Sequence, residues 1–480
     1  MPASPEPAPF PNRKHAGSGR FTVVHKFGGA PITGRGRMAR VASLVSRQKG
    51  AQVVVVSALA DVTNRLLDAA RKGNPGRFTE RILRRHMELS PGPGPHEAEL
   101  ERLAAALRKE LLSAARRRPP SPRALDSIAS YGERMAAPLV GAWLRRRGLP
   151  VVVLDGGEAG ILTDESHGGA SPLPGAAARI RRSLGPHLRA GRVPVVTGFI
   201  GRSPRGRVTT LGRGGSDYTA TILGAALGAR EVWLWKETDG VMSADPRTVP
   251  KARLLENLSY EEAMELSYFG AKVLHPRAME PVMAARIPVR VRSMLRPDSP
   301  GTLIGRNGKK RRDERRLRRQ RPPPSDGDVV KAVTPIRNVA MLNISGPEMV
   351  GTPGAAGRIF TCLGRAGVNV IMISQGSSER TISMLIDEGR LPAALDGLRR
   401  EFSDRLVRDV EARRDVCAVA AVGEGMAGTP GVAGRLFSAL GRARVNVVMI
   451  AQGSSEYNIS FVVARRDAER AVRVVHDEFR

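Results

Sequence analysis

Up to Gly305 the apolar residues fall into short continuous runs: TVVHK, QVVVVSA, PVVVLD, VPVVTGF, EVWLW and IPVRVRS. Valine-rich runs without polar alternation predict strands buried on both faces, and stretches with helical apolar spacing lie between them. That alternation predicts a mostly parallel α/β sheet flanked by helices. In such sheets ligands sit outside the carboxyl ends of the strands, so the chemistry should follow the runs.

Further on, the pattern repeats. MVGTPGAAGRIFTCLGRAGVNVIMISQGSSERTISMLI, from Met349, realigns without a gap with MAGTPGVAGRLFSALGRARVNVVMIAQGSSEYNISFVV, from Met426, at an offset of 77 and with roughly two thirds of positions identical. Each copy reads as a strand, a Gly-Thr-Pro-Gly loop, a helix with a small-residue face, the strand VNVxMI, a Gly-Ser-Ser turn and another strand. This predicts two compact ferredoxin-like modules. Paired pseudo-symmetrically they would make a sensor with related pockets; the alternative is that the duplication only builds a dimer interface.

Composition narrows the classes. The chain has 480 residues, 41% hydrophobic and only 4% aromatic, which suits two or three domains packed by small aliphatic side chains. No apolar run reaches the roughly 18 to 20 residues that cross a bilayer, and MPASPEPAPFPNRKHAGSGR at the start has no apolar signal core; a soluble, cytoplasmic protein with a loose tail over 1–20 and no membrane partner is expected. Two cysteines, Cys362 and Cys417, make neither a disulfide framework nor a zinc site and read as small core residues. The formal charge of +31 raises a nucleic-acid reading, but most of the excess is arginine spread through every region, so no nucleic-acid partner is expected. Arg306 to Asp328 differs, with ten basic residues against two acidic ones before Pro-Pro-Pro. It reads as a solvated linker, with a polyanion contact as the alternative.

Candidate chemistry does follow the strand runs. Lys26 ends the first run and Gly28-Gly29 follows, a pairing of mobile ammonium and open backbone amides that suits a phosphoryl oxyanion. LGRGGSDYTATILGAALGA leads through a glycine loop to Ser216 and Asp217 at a helix start, with Arg213 able to hold a carboxylate or phosphate bidentately. Ser57 and Thr63 flank the turn after QVVVV; Lys236, Asp239 and Arg247 lie in the loop after EVWLW. Ser259 and Glu262 form a capping box whose helix stops near Gly270, presenting Lys272 beyond it, and His275 before Pro276 reads as a packed or turn histidine.

The ordered motifs KFGG, VSALADVTN, SYGERM, GFIG, TTLGRGGSDYTA, TDGVMSADPR, FGAKVLHP and PGTLI resemble aspartate kinases of the amino acid kinase superfamily, and the doubled module resembles their tandem ACT domains. The resemblance covers Phe21 to Gly305 and Lys331 to the end. It implies a three-layer αβα kinase domain with a mainly parallel sheet at 21–305, a linker at 306–328, and ferredoxin-like ACT domains at 329–408 and 409–480. It further implies ATP-dependent phosphorylation of the β-carboxylate of L-aspartate. Lys26, with Gly28 and Gly29, would meet the γ-phosphate, and Asp217 would organise that lysine and the phosphates. Ser57, Thr63, Glu133, Arg213 and Ser216 would bind aspartate, while Lys236, Asp239, Met242, Arg247 and Lys272 would hold the nucleotide. Mg²⁺ would be held mainly by ATP phosphates, with no protein metal site. Asn369, Gln375 and Ser378, and their counterparts Asn446, Gln452 and Ser455, would surround an amino-acid effector, threonine or lysine. Paired ACT domains imply a homodimer or larger homo-oligomer.

The chain also departs from the family pattern. Ala30 and Pro31 stand where the family usually has Thr-Ser, Lys236 replaces a common threonine, and Met242 a common tyrosine. A lost hydrogen bond to a charged group costs roughly 1.5 to 3 kcal/mol, so a catalytically weakened amino-acid-binding regulator is the competing expectation.

Overall fold

The computed structural model describes residues 22–72, 75–116, 119–270, 274–305, 329–376, 380–402 and 406–480. The tail and linker of the sequence reading, with Lys272 and Ser378, lie outside these residues. The chain forms two units, one from the described parts of 1–241, 254–264 and 272–309, the other from those of 242–253, 265–271 and 310–480.

In the first unit the valine runs become β1 (Val23–Phe27), β2 (Gln52–Val56), β3 (Val151–Leu154) and β4 (Val193–Thr197), followed by β5 (Ile200–Arg202), β6 (Val208–Thr210), β7 (Glu231–Lys236), β8 (Asn257–Leu258), β9 (Val289–Ser293) and β10 (Thr302–Ile304). Their sheet runs β3-β4-β2-β1-β7-β9-β10-β8, parallel throughout except where β9 meets β10, and β5-β6 is a separate hairpin. β1 and β2 are buried along their whole length, which explains the four consecutive valines of β2. Lys26 pairs with Val55 on one side and Leu234 on the other, so its ammonium leaves the centre of the sheet near the carboxyl ends.

Two helices frame that point. Pro122–Arg145 starts at Ser121, whose side chain accepts from the Ala124 N–H, with proline at its first position. It lies tight against the turn after β2: a Cβ on Gly132 would come 2.7 Å from the Ala58 Cβ. Gly215–Leu227 is built from small and apolar residues and buried over nearly its whole length.

The second unit carries β11 (Ala332–Ser345), β12 (Val370–Gln375), β13 (Thr381–Asp387), β14 (Asp409–Val422), β15 (Val447–Gln452) and β16 (Asn458–Ala464), antiparallel in the order β12-β13-β11-β14-β16-β15. The repeat is exact in its elements: helices Ala355–Arg365 and Leu391–Glu401 recur 77 positions later as Val432–Arg442 and Ala468–Glu478. The long strands β11 and β14 lie side by side, and the register of β11 breaks between Ile336 and Val339, where Asn338 has φ 61°. Before the break Val333 packs with Cys417, Val419 and Phe461 of the second copy; after it Ala340, Leu342 and Ile344 pack with Val407 of the first. The second module is therefore completed by a strand segment from the first, and the first takes Val410 from the start of β14 against its core. Cys362 and Cys417 are buried free thiols. Among the described residues no helix is long and apolar enough to cross a membrane.

Candidate active site

Beyond the carboxyl ends of β1 and β2 the first unit has a cleft of about 370 Å³ lined by Lys26, Gly29, Ser57, Thr63, Glu133, Ser216 and Asp217, among others. Glycine shapes its walls for steric reasons. A Cβ on Gly29 would sit 2.7 Å from the Ala58 carbonyl oxygen, one on Gly198 2.5 Å from the Ser216 Cβ, and Gly214, at φ 72°, would strike His275. Phe199 adopts a left-handed φ of 67° and donates its N–H to the Thr219 hydroxyl at 3.0 Å, which ties the Gly198 turn to helix Gly215–Leu227.

The charges are organised around Asp217, in the first turn of that helix. Lys26 Nζ lies 2.6 Å from its Oδ1 and Lys236 Nζ 3.6 Å from its Oδ2. Burial works against ionisation of Asp217, but Lys236 and Lys26 hold its carboxyl below the ordinary range. Lys26, 8% exposed, is drawn below the usual lysine range by burial, with Asp217 opposing that pull and Lys236 adding to it. Glu133 presents the opposite case. It is 3% exposed, its Oε2 has no hydrogen-bond partner, and burial pushes its carboxyl up to about 8, against the backbone N–H of Ala58, its own N–H and Lys26. A buried carboxyl with one open oxygen facing a cleft is poised to receive a cation.

The structure thus brings Lys26, Ser57, Thr63, Glu133, Ser216 and Asp217 to one cleft, with Lys236 reaching Asp217; Gly28 is not among the lining residues. A Cβ on Gly28 would lie 3.6 Å from Lys26 Nζ. Arg213 is exposed on the loop between Gly212 and Gly214 and does not line the cleft. Asp239, also in this unit, accepts from Arg296 Nε at 2.7 Å. Met242 and Arg247 belong to the second unit, Met242 half-buried and Arg247 exposed and bonded to Asp245. Asn369 and Gln375, and Asn446, Gln452 and Ser455, are exposed at or beside β12 and β15, the two edge strands of the second sheet.

Two supports escaped the sequence reading. Asp126, 3% exposed, accepts from the N–H groups of Gly168 and Thr210 at 3.0 and 3.1 Å, from the Thr210 hydroxyl at 2.5 Å and from His167 Nδ1 at 2.7 Å, anchoring the loop that leads to Gly212. Thr33 donates to the Gly29 carbonyl at 2.8 Å and accepts from the Ala60 N–H at 3.1 Å, joining the turn after β1 to the turn after β2. The hydroxyl two residues past Pro31 was the available signal, since a helical turn returns it to Gly29.

Residues 21–293 match the amino acid kinase family model, and residues 342–402 and 419–479 each match an ACT domain. The bifunctional aspartokinase/homoserine dehydrogenase 2, chloroplastic, of Arabidopsis thaliana is 36% identical over 487 residues, covering 96% of this chain but 51% of its own length. The chain thus spans about half the length of its bifunctional relatives. Aspartokinase 2, chloroplastic, of the same plant is 33% identical over 484 residues, covering 97% of this chain and 85% of the relative. Among solved structures, E. coli aspartokinase III in complex with aspartate and ADP (R-state) matches with a TM-score of 0.77 and 29% identity, over 95% of this chain and 99% of that one. The same enzyme in complex with lysine and aspartate (T-state) matches with a TM-score of 0.78 and 31% identity over the same shares.

Proposed function

The chain belongs to the amino acid kinase family and, within it, to the aspartokinases, and from that premise we propose that it phosphorylates the β-carboxylate of L-aspartate with ATP, giving 4-phospho-L-aspartate, the first step toward lysine, threonine and methionine. The observation that carries the proposal is the Lys26–Asp217–Lys236 array, 2.6 and 3.6 Å between charges, in one cleft with an open-ended, protonated Glu133. Relatives named aspartokinase and a matching structure titled with aspartate and ADP support it.

The reaction needs no strong base, because the β-carboxylate is already ionised near neutral pH. The demand is to align two anions and offset their repulsion. Lys26 is the group for this: fixed by Asp217 at the sheet centre, it meets the γ-phosphoryl oxygens while the amides of Gly28 and Gly29 approach them. Glu133 takes the α-ammonium of aspartate, and Arg213 turns inward to the α-carboxylate. Ser57, Thr63 and Ser216 supply hydroxyls that orient the substrate. Lys236, Asp239, Met242, Arg247 and Lys272 attend the nucleotide.

Among the described residues no cluster of three or more His, Cys, Asp or Glu could cage a metal. A Mg²⁺ held mainly through ATP phosphates asks the protein for at most one or two carboxylates, a role Asp217 would take. When bound, the ion would supply further neutralisation of phosphate charge. The two ACT modules, at 329–408 and 409–480, would sense threonine or lysine through Asn369, Gln375 and Ser378 and their repeats. The exposure of Asn369, Gln375, Asn446, Gln452 and Ser455 at or beside edge strands suits a site completed by a second copy in a homodimer or larger assembly, and a cytoplasmic location fits this chemistry.

The test is ADP release from Mg·ATP and L-aspartate, with Lys26→Ala as control and lysine and threonine added in turn. Loss of about 10²- to 10³-fold in the control is expected, as for removal of one preorganised oxyanion group. Wild-type turnover no higher than the control would overturn the proposal and favour the weakened regulator.

A further inference from the structure

We infer that the second repeat carries an anion site, unrelated to its effector turn, for a small molecule bearing a phosphate group. A cavity of about 590 Å³ in the second unit is lined by Arg337, Asn338, Arg465, Arg466, Arg470 and Arg473. The volume lies in the range of small-ligand pockets. It opens where the 3-10 turn Arg465–Asp467 leads into helix Ala468–Glu478, whose amino end adds a partial positive charge beside the guanidinium groups. Across the cavity, the β11 break at Asn338 sets Arg337 opposite the helix start, where it reaches Glu469 at 3.2 Å.

The internal charges do not cancel. Only two carboxylates line the cavity, Asp467 and Glu469, against five arginines. Asp467 is shared between Arg470 and Arg466, the latter at 3.9 Å with a side chain 85% exposed. Arg465 turns to Glu388 at 3.0 Å. Arg473 is exposed and has no hydrogen bond or ion pair among the described residues. With Glu388 set against Arg465, the five arginines face three carboxylates, and the excess of about two positive charges matches one phosphate group at about −1.5 to −2, which planar guanidinium forks bind bidentately.

The other repeat is an internal control against mere arginine richness. The same turn and helix occur there as Glu388–Arg390 and Leu391–Glu401, yet the positions equivalent to Arg465, Arg466, Arg470 and Arg473 are Glu388, Gly389, Ala393 and Asp396. Four basic positions in one copy are acidic or neutral in the other, on the same backbone, in a region that departs from the two-thirds identity of the preceding loop and strands.

Titration calorimetry of the full chain with inorganic phosphate, at two salt concentrations, tests the site. The double variant Arg466→Ala/Arg473→Ala is compared with Arg399→Ala/Arg400→Ala, which removes the same charge from exposed positions on the first repeat's helix. Binding at the kinase cleft is common to all three proteins and drops out of the comparison. A saturable component that weakens at least about tenfold in the first variant, and less than twofold in the second, is expected. Equal weakening in both, or no component that the first variant removes, overturns the inference. So does a duplex oligonucleotide that competes with phosphate and is itself lost equally in both variants, since the face would then be a general polyanion surface.

Discussion

Glu133 offers the sharpest test of the cleft, because its proposed role requires its charge state to change when aspartate arrives. Its carboxyl, at about 8 in place of 4.5, reflects a cost of about 5 kcal/mol for keeping the buried charge without a cation. At pH 7 it is roughly nine-tenths protonated. An incoming α-ammonium reverses the balance, so aspartate binding should release close to one proton per site at pH 7 and almost none at about pH 9. Calorimetry in buffers of unlike ionisation enthalpy reads this directly. Glu133→Gln keeps the shape and removes the charge. It forfeits a charged hydrogen bond of roughly 1.5 to 3 kcal/mol but also escapes the cost of ionising at pH 7, about 1.4 kcal/mol. The KM for aspartate should therefore rise by up to about tenfold at pH 7 and by about 10- to 150-fold at pH 9. Stability has its own sign. A raised carboxyl stabilises the native state below pH 4.5 and loses that contribution as pH rises to 8, so above pH 8 the glutamine variant should outlast the wild type by up to about 5 kcal/mol. No proton release at pH 7, together with the same KM ratio at both pH values, would refute the reasoning.

Other perturbations test the frame. Asp217→Asn leaves Lys26 and Lys236 facing each other without their shared counter-charge; breaking such a buried pair costs about 3 to 5 kcal/mol, read by urea unfolding, and activity should vanish with it. Gly29→Ala places a methyl group 2.7 Å from the Ala58 carbonyl, so turnover should collapse while the ACT modules, with their own cores, keep their hydrogen-exchange protection. His25 and His86 are held near 3 and 4, burial being the main cause in each, with Arg292 and Arg85 adding to it. Both stay neutral in the native state, so each contributes stability above pH 6.5 that is lost as pH falls. Unfolding of the first unit, followed by Trp233 and Trp235 fluorescence, should show about 2 kcal/mol lost per histidine between pH 6.5 and 5, and His86→Gln should flatten that slope.

The sequence by itself determined a good deal. Valine-rich runs at β1, β2 and β4 required strands covered on both faces, and the 77-residue repeat required two modules of one kind, because these are local patterns with a single physical reading. Lys26, Gly29 and Asp217 were legible for a similar reason: a lysine at a strand end, a glycine where no Cβ fits and an acid in a helix's first turn each announce themselves within a few residues. Only the tertiary structure decided what joins them. Asp126 meets Thr210 across 84 positions, and nothing near Asp126 in the chain distinguishes it from a surface acid. Glu133 acquires its raised pKa from burial against the turn at Ala58, a property of packing that no spacing encodes. The division of β11 between two cores follows from the bulge at Asn338 and the partner strand β14, since hydrogen-bond register is settled between chain segments. The arginine cavity has the same origin: the four arginines between Arg465 and Arg473 met Arg337, over 120 positions earlier, only when the turn into helix Ala468–Glu478 closed over the β11 break.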